Sequence, residues 1–484
     1  VTTKQAALFT DSRYTLQAGK QVNKKDYAIV DMAAQHPTQW LDARLKPRLR
    51  VAVDPWLFTV NQFAQWGKII QANAAMLVTL QTNPIDTLWR DRPAASTAKA
   101  TSHALKYAGI TTKQKIKQLI SDMDDDAERI LVADPLLVCW LLNIRGGDVA
   151  HVPVLQSLAL VTRGGKVTLF ANPAQVPKTL GLSVQPLDKL LAVLAGSKAP
   201  LQIDPNQCPF AVKHALAAKK VPMIEAADPC ILLRACKNAV EIKGAVLAHK
   251  KDAIAYKKFL AWFAKRDFAR ENITEMDIAA KLRQFRAADR DFMDDSFDTI
   301  AGFAGNGAIV HYRADAKSNK RLRPGNLLLL DSGAQYRCGT TDITRVLAVG
   351  KPTPEMKKHY QAVYRGLQTL SSTRFPEGTS GAQLEAIARR ELWALGLDYG
   401  HGTGHGVGSY LSVHEGPQGF TARSHAPLRP GMILSIEPGV YHTGKFGIRL
   451  ENLVVVVEDT RKGDMKKMLA FRTLTDVAFD RKML

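Results

Sequence analysis

The sequence predicts a multidomain chain, α/β in its leading half and α+β from about Pro229 onward. Three observations carry this. The chain has 484 residues, too many for one ordinary core, so two or three domains are expected. Up to about residue 229, short strand-like runs alternate with helical patterns. Beyond it, long amphipathic patterns flank apolar runs joined by tight turns.

Residues 1–91 form the first α/β unit. Its strand-like runs are AALFT, YAIV and RVAV, and VNQFAQWGKIIQANAAML has helical periodicity. The opening VTTKQAALFTDSRYTLQ reads as a hairpin entered midway. DRPAAS, Asp91 to Ser96, has the composition of a linker. Residues 92–229 repeat the mixed pattern: KQKIKQLISDM is helical, and LVADPLLVCWLLN, VTLFA and LQIDP read as buried strands or their ends. Residues 230–484 make the third domain. CKNAVEIKGAVLAHKKDAIAYKKFLAWFAK is a long helix pattern. Thr274 with Asp277 and Ser380 with Gln383 are spaced as capping boxes, and Thr353 precedes a proline suited to the first helical position. Strand runs GAIVHY, NLLLLDSG, TDITRVLAV, MILSIEPGVY and IRLENLVVVV lie between and after these helices.

Composition narrows the function classes. Hydrophobic residues make up 46% and charged residues 23%, as in a soluble globular protein, and no apolar run reaches the ~20 residues of a membrane helix. No signal-peptide pattern follows Val1. The net charge is +21, yet the basic residues fall in short scattered groups, which favours a solubilised surface over a nucleic-acid site. Five cysteines without a CxxC pair fit a reducing cytoplasm.

The chemistry sits in the third domain. Asp331 ends an apolar run, and Asp342 follows after ten turn-like residues, on the returning strand. Glu437 ends MILSIE, Glu451 lies in GIRLEN, and His405 lies in HGTGHGVG. Burying several carboxylates together is unfavourable unless cations compensate them. Oxygen ligands with one imidazole suit a divalent first-row ion, Mn²⁺, Co²⁺, Fe²⁺ or Zn²⁺. Four carboxylates can hold two ions if some of them bridge, and such a pair can activate a water.

Asp331, Asp342, His405, Glu437 and Glu451, in this order, resemble the metal set of the pita-bread metallopeptidases of family M24. DSGAQY…GTTDITR, HGTGHGVGSYLSVHEGP, EPGVY and GIRLEN resemble most closely the three-domain, cytosolic Xaa-Pro aminopeptidases. The likeness is specific within residues 300–457 and looser upstream, through WLLNIRGGDVAHVPV. It implies two creatinase-like α/β domains before a pita-bread catalytic domain, and hydrolysis of the N-terminal Xaa-Pro bond by a hydroxide activated between two metal ions. Asp331 would hold the first ion, Asp342 and Glu451 would bridge, and His405 and Glu437 would hold the second. Glu437 would also accept the water's proton. His311, His401 and His414 match the substrate-side histidines that stabilise the intermediate or protonate the leaving prolyl nitrogen. Arg449, two residues before Glu451, is read as orienting a carboxylate.

The resemblance further implies manganese, with zinc or cobalt as alternatives, a cytoplasmic homodimer, Xaa-Pro peptides as substrates, and neither a nucleic-acid nor a membrane partner. Against relatives, the chain is expected to lack its first strands and a C-terminal helical tail. Prolidase is the first alternative, but its later histidine follows the ligand histidine by seven residues, against nine from His405 to His414. A non-catalytic pita-bread binding protein is the second. The positive charge leans that way and the complete ligand set argues against it. His36, His249 and His359 are read as surface or helix positions, Trp140 and Arg145 as core or ion-pair residues that could also reach the cleft, and Cys338 as a turn residue outside the chemistry.

Overall fold

The computed structural model describes every residue except Thr3. By contact the chain divides into two units. One comprises Met32–Arg234. The other joins Val1–Asp31 to Ala235–Leu484.

The Met32–Arg234 unit is built on a six-stranded mixed sheet. Its order is Val184–Gln185, Val167–Phe170, Leu158–Thr162, Arg129–Val132, Leu201–Ile203 and Met223–Glu225. Leu131, Leu160, Phe170, Leu201 and Ile203 form its core, and Val60, from the Val60–Ala72 helix, enters the same core. The run LVADPLLVCWLLN, expected as strand, is divided: Arg129–Val132 is strand and Pro135–Leu141 is helix. Asp134 caps that helix by accepting from the Leu136 amide, and Pro135 supplies a first helical residue that needs no donor. Trp140 and Arg145 are buried within this unit, with the Arg145 guanidinium donating to the carbonyls of Cys139 and Ile144.

In the second unit, the opening segment differs from the expected hairpin. Ala6–Thr10 and Tyr27–Asp31 pair in parallel, joined through the Thr15–Gln21 helix. A parallel pair cannot close through a tight turn and requires such a crossover. The larger part of the unit holds four antiparallel assemblies, one of them the small sheet of Phe292–Asp295, Ala334–Tyr336 and Gly339–Thr340. Asn326–Ser332 is the centre of a three-stranded sheet, between Ile300–Phe303 and Ile343–Val349. A six-stranded sheet runs Arg374–Pro376, Met468–Thr473, Asn452–Glu458, Ile433–Ile436, Gly404–Gly406 and Glu415–Phe420. Gly439–His442 and Phe446–Arg449 form a separate hairpin.

Helices cover one side. Ala239–Ala264 starts at a capping box of Asn238 and Glu241, and Glu275–Arg286 starts at the expected box of Thr274 and Asp277. Tyr256, Phe259, Ile278 and Leu282 of these helices pack on Leu328 and Leu330. All four leucines from Leu327 to Leu330 are buried, so this strand is covered on both faces and does not alternate with polar residues. GAIVHY, expected as a strand, is instead a 3₁₀ turn at Asn306–Ala308 followed by irregular chain through His311. The cause is Glu275. Its buried carboxylate accepts from the Phe303 amide, the Asn306 side chain, the Tyr312 hydroxyl and the Lys320 amide, and so bends this segment around itself. No helix among the described residues is long and apolar enough to cross a membrane.

Candidate metal centre

The ligand candidates are placed by strand register. Asp331 pairs with Thr344 across the central sheet, and Ser332 with Ile343. Asp342 directly precedes that strand, so it lies diagonal to Asp331 and, with Thr344, on the same side. The return between the two aspartates is a second small hairpin, Ala334–Tyr336 with Gly339–Thr340. Thr344 ties in the next carboxylate: its carbonyl accepts from the Glu451 amide at 3.1 Å, and its hydroxyl donates to Glu451 Oε2 at 2.8 Å. Glu437 follows the Ile433–Ile436 strand, its amide held by the Thr403 carbonyl at 2.7 Å. His405 occupies the short Gly404–Gly406 strand, where a Cβ on Gly404 would lie 1.9 Å from the Ser435 carbonyl oxygen. Only glycine lets the backbone approach that closely.

These elements bring the five residues together. His405 Nε2 lies 3.5 Å from Asp342 Oδ2 and 3.5 Å from Glu437 Oε1. One donor atom each of Asp342, His405 and Glu451 fall within 4.8 Å of one another. His405 Nδ1 is 2.9 Å from the Gly406 carbonyl. Donation there commits Nδ1 and leaves Nε2 as the ring nitrogen facing the carboxylates, an arrangement that suits a cation between them. Asp331 Oδ1, Asp342 Oδ1 and Glu451 Oε1 are buried with no hydrogen-bond partner. Arg449 is the local counter-charge. Its Nη2 donates to Asp331 Oδ2 at 2.5 Å, and its Nε is 3.9 Å from Glu437 Oε2.

Burial, and then repulsion by neighbouring carboxylates, push the Asp342 and Glu451 carboxyls well above their usual range. Burial also raises Glu437. Four carboxylates face one guanidinium, so bound cations relieve both the repulsion and the orphaned oxygens. The donor set therefore fits divalent metal ions.

A pH dependence follows. Carboxyls with raised folded values favour the metal-free fold while protonated, below their unfolded values, and that contribution is lost as pH rises through the raised values. Metal loading reverses the loss. The melting temperature of chelated protein should fall behind that of loaded protein, with a gap that widens from pH 5 to pH 8. A gap independent of pH would contradict this charge balance.

The three remaining histidines line the same cavity, about 420 Å³ in volume. His401 Nδ1 lies 2.8 Å from the Gly402 carbonyl, and its Nε2 lies 2.7 Å from the Tyr441 hydroxyl, which accepts from Arg449 Nη1 at 2.8 Å. Burial and Arg449 push His401 down to about 3, so it is neutral at ordinary pH. Burial and the same arginine push His311 down to about 3. The His414 ring stands edge-on to His405, with centroids 4.1 Å apart, and His405 is the chief cause of its lowered pKa.

Sequence reasoning missed four residues. Arg13 and Tyr14 line this cavity from the opening segment. Arg13 is paired with Asp11 at 2.7 Å, and the Tyr14 hydroxyl is 2.7 Å from His311 Nδ1. Thr344 and Tyr441 lay inside the motifs singled out, unread as partners of Glu451 and His401. Cys338 forms the buried turn after Tyr336, its carbonyl against Gly244, with burial pushing its thiol up to about 11. His249 and His359 take the helix alternative, in Ala239–Ala264 and Pro354–Ser371, and both are buried.

The pattern that defines the creatinase/prolidase N-terminal domain matches residues 91–241, and that of metallopeptidase family M24 matches residues 246–458. The whole chain aligns with Aminopeptidase P2 of Arabidopsis thaliana at 36% identity, covering 74% of it. It aligns likewise with the probable Xaa-Pro aminopeptidase P of Paracoccidioides brasiliensis (strain Pb03) at 35%, covering 83%. The solved X-prolyl aminopeptidase of Caenorhabditis elegans, described as a cytosolic enzyme with a di-nuclear active site, superposes on all of this chain and 82% of its own, with a TM-score of 0.95 and 28% identity. With its ligand-like residues gathered on one cavity and its whole length aligned, the chain belongs to metallopeptidase family M24, among the aminopeptidases P.

Proposed function

We propose that this chain is a metalloaminopeptidase that hydrolyses the N-terminal Xaa-Pro bond of peptides. The observation that carries the reading is the meeting of orphaned, buried carboxylate oxygens with neutral histidines on one cavity. In this reading Asp331, Asp342, His405, Glu437 and Glu451 would together hold two divalent ions. Such ions, when bound, supply Lewis acidity and an activated water near neutral pH.

The chain's own residues do the rest. Glu437, whose carboxyl burial already makes more basic, takes a proton from the attacking water. Arg449 holds the Asp331 carboxylate through a charged hydrogen bond and, through the Tyr441 hydroxyl, keeps His401 oriented toward the cavity. His401, His311 and His414 bind the substrate carbonyl and carry a proton to the prolyl nitrogen, a leaving group that must be protonated to depart. The same reading takes manganese as the ion, the cytoplasm as the compartment and a homodimer as the working form. Five free thiols and a relative described as cytosolic support the compartment.

The test pairs metal analysis with substrate length. Loaded protein should carry two ions per chain and release the first residue of an Arg-Pro-Pro peptide faster than it splits Xaa-Pro dipeptides. A preference for dipeptides would make it a prolidase. Neither metal nor turnover would make it a binding protein.

A further inference from the structure

Behind the active-site hairpin lies a second cluster of titratable groups that the reaction does not use. Tyr441 and His442 are adjacent in the Gly439–His442 strand and so point to opposite faces. The front face carries Tyr441 and Arg449, and it packs so closely that a Cβ on Gly447 would lie 1.8 Å from the Gly307 carbonyl oxygen. The back face carries His442 and its cross-strand partner Phe446, with rings 4.9 Å apart. There His442 Nε2 meets Nδ1 of His359, from the Pro354–Ser371 helix, at 3.0 Å. The two rings are nearly parallel, with centroids 4.8 Å apart. His359 is 9% exposed, so water does not easily replace this partner.

A hydrogen bond between two imidazoles needs one nitrogen with a proton and one without. It survives when both rings are neutral and when one is charged. With both charged, two donors face each other and like charges stand in contact. We propose that His359 and His442 form a proton-sensitive latch, which holds the hairpin against the Pro354–Ser371 helix until the second proton arrives and then loosens the placement of Tyr441 and Arg449.

The charged groups acting on His359 are Glu355 and Lys358 of its own helix and His442 of the hairpin, and Lys445 stands in the hairpin's exposed turn. Burial, then His442, lowers the pKa of His359. The folded chain thus takes up fewer protons than the unfolded one just below the ordinary histidine value. The pair's stabilisation is complete above that value and is lost as pH falls through the folded one.

The test uses metal-loaded protein and His359→Gln, which cannot be charged, with His442→Gln in the half-exposed position should the first fail to fold. Between pH 8 and pH 5.5 the melting temperature of the wild type should fall by ~2–4 °C more than that of the variant. The effect on turnover rests on the peptidase reading. There the wild-type kcat should fall with two protons and the variant's with one, with about threefold more of it retained at pH 5.5. Bound metal is measured at each pH, so that loss of ions is not mistaken for the latch. Superposable melting and kcat curves would overturn the proposal. If no Xaa-Pro peptide is cleaved at any pH, the peptidase reading fails and the melting curves alone decide the latch.

Discussion

Asp342→Ala should lower turnover of an Xaa-Pro peptide at least ~10³-fold, the scale of losing several kcal/mol of metal-supplied stabilisation, with bound metal falling in parallel. Asp342 is a member of the tight donor group with His405 and Glu451. One of its oxygens is 3.5 Å from His405 Nε2 and the other has no hydrogen-bond partner, so its removal takes a ligand and breaks no protein hydrogen bond made by that second oxygen. A second measurement separates this from simple misfolding. In the metal-free chain the pKa of Asp342 is raised by burial and by Asp331 and Glu437, and Asp342 raises that of Glu451 in turn. Chelated Asp342→Ala should therefore melt no lower than the chelated wild type at pH 8. Near-normal kinetics, or a metal content equal to the wild type, would end the two-ion reading.

His414→Ala should lower kcat/KM by ~10²-fold, the lower range for a lost proton-transfer group, while the metal content stays at the wild-type level. The contrast with Asp342 comes from position. His414 is solvent-exposed at the cavity, and its ring meets His405 edge-on instead of entering the carboxylate cluster. Its pKa is lowered chiefly by His405 and then by burial, so a proton it carries is readily handed on to a leaving nitrogen. Loss of metal in this variant would make His414 a ligand and would displace His405 from that assignment.

What could be read before any coordinates were those features whose causes are local. Each ligand candidate lies in a short word with its own turn or glycine, and the diagonal placement of Asp331 and Asp342 follows from strand period. The capping box of Thr274 and Asp277 is likewise decided within four residues. The failures have distant causes. GAIVHY has the β-branched and aromatic content of a strand, but a carboxylate from another helix, Glu275, claims the donors around it. LVCWLL is apolar throughout, so periodicity does not separate strand from helix, and the cap at Asp134 with Pro135 decides. Tyr14 reaches His311 across 297 positions of sequence, a pairing with no local signal at all.

The same separations set a timetable for assembly. Arg449 meets Asp331 across 118 positions, Thr344 meets Glu451 across 107, and Arg345, which holds the Glu451 carbonyl, is itself tied to the Val477 carbonyl across 132. None of these loops can close while its second half is still unmade, and contacts so far apart form late and slowly. A ribosome-bound chain that ends before Glu451 offers at most four of the five ligand candidates and lacks the carboxylate that Thr344 holds in place. In the proposed reading, loading of the centre would therefore be a late event, at or after completion of the fold, and the ion would seal the finished structure rather than nucleate it.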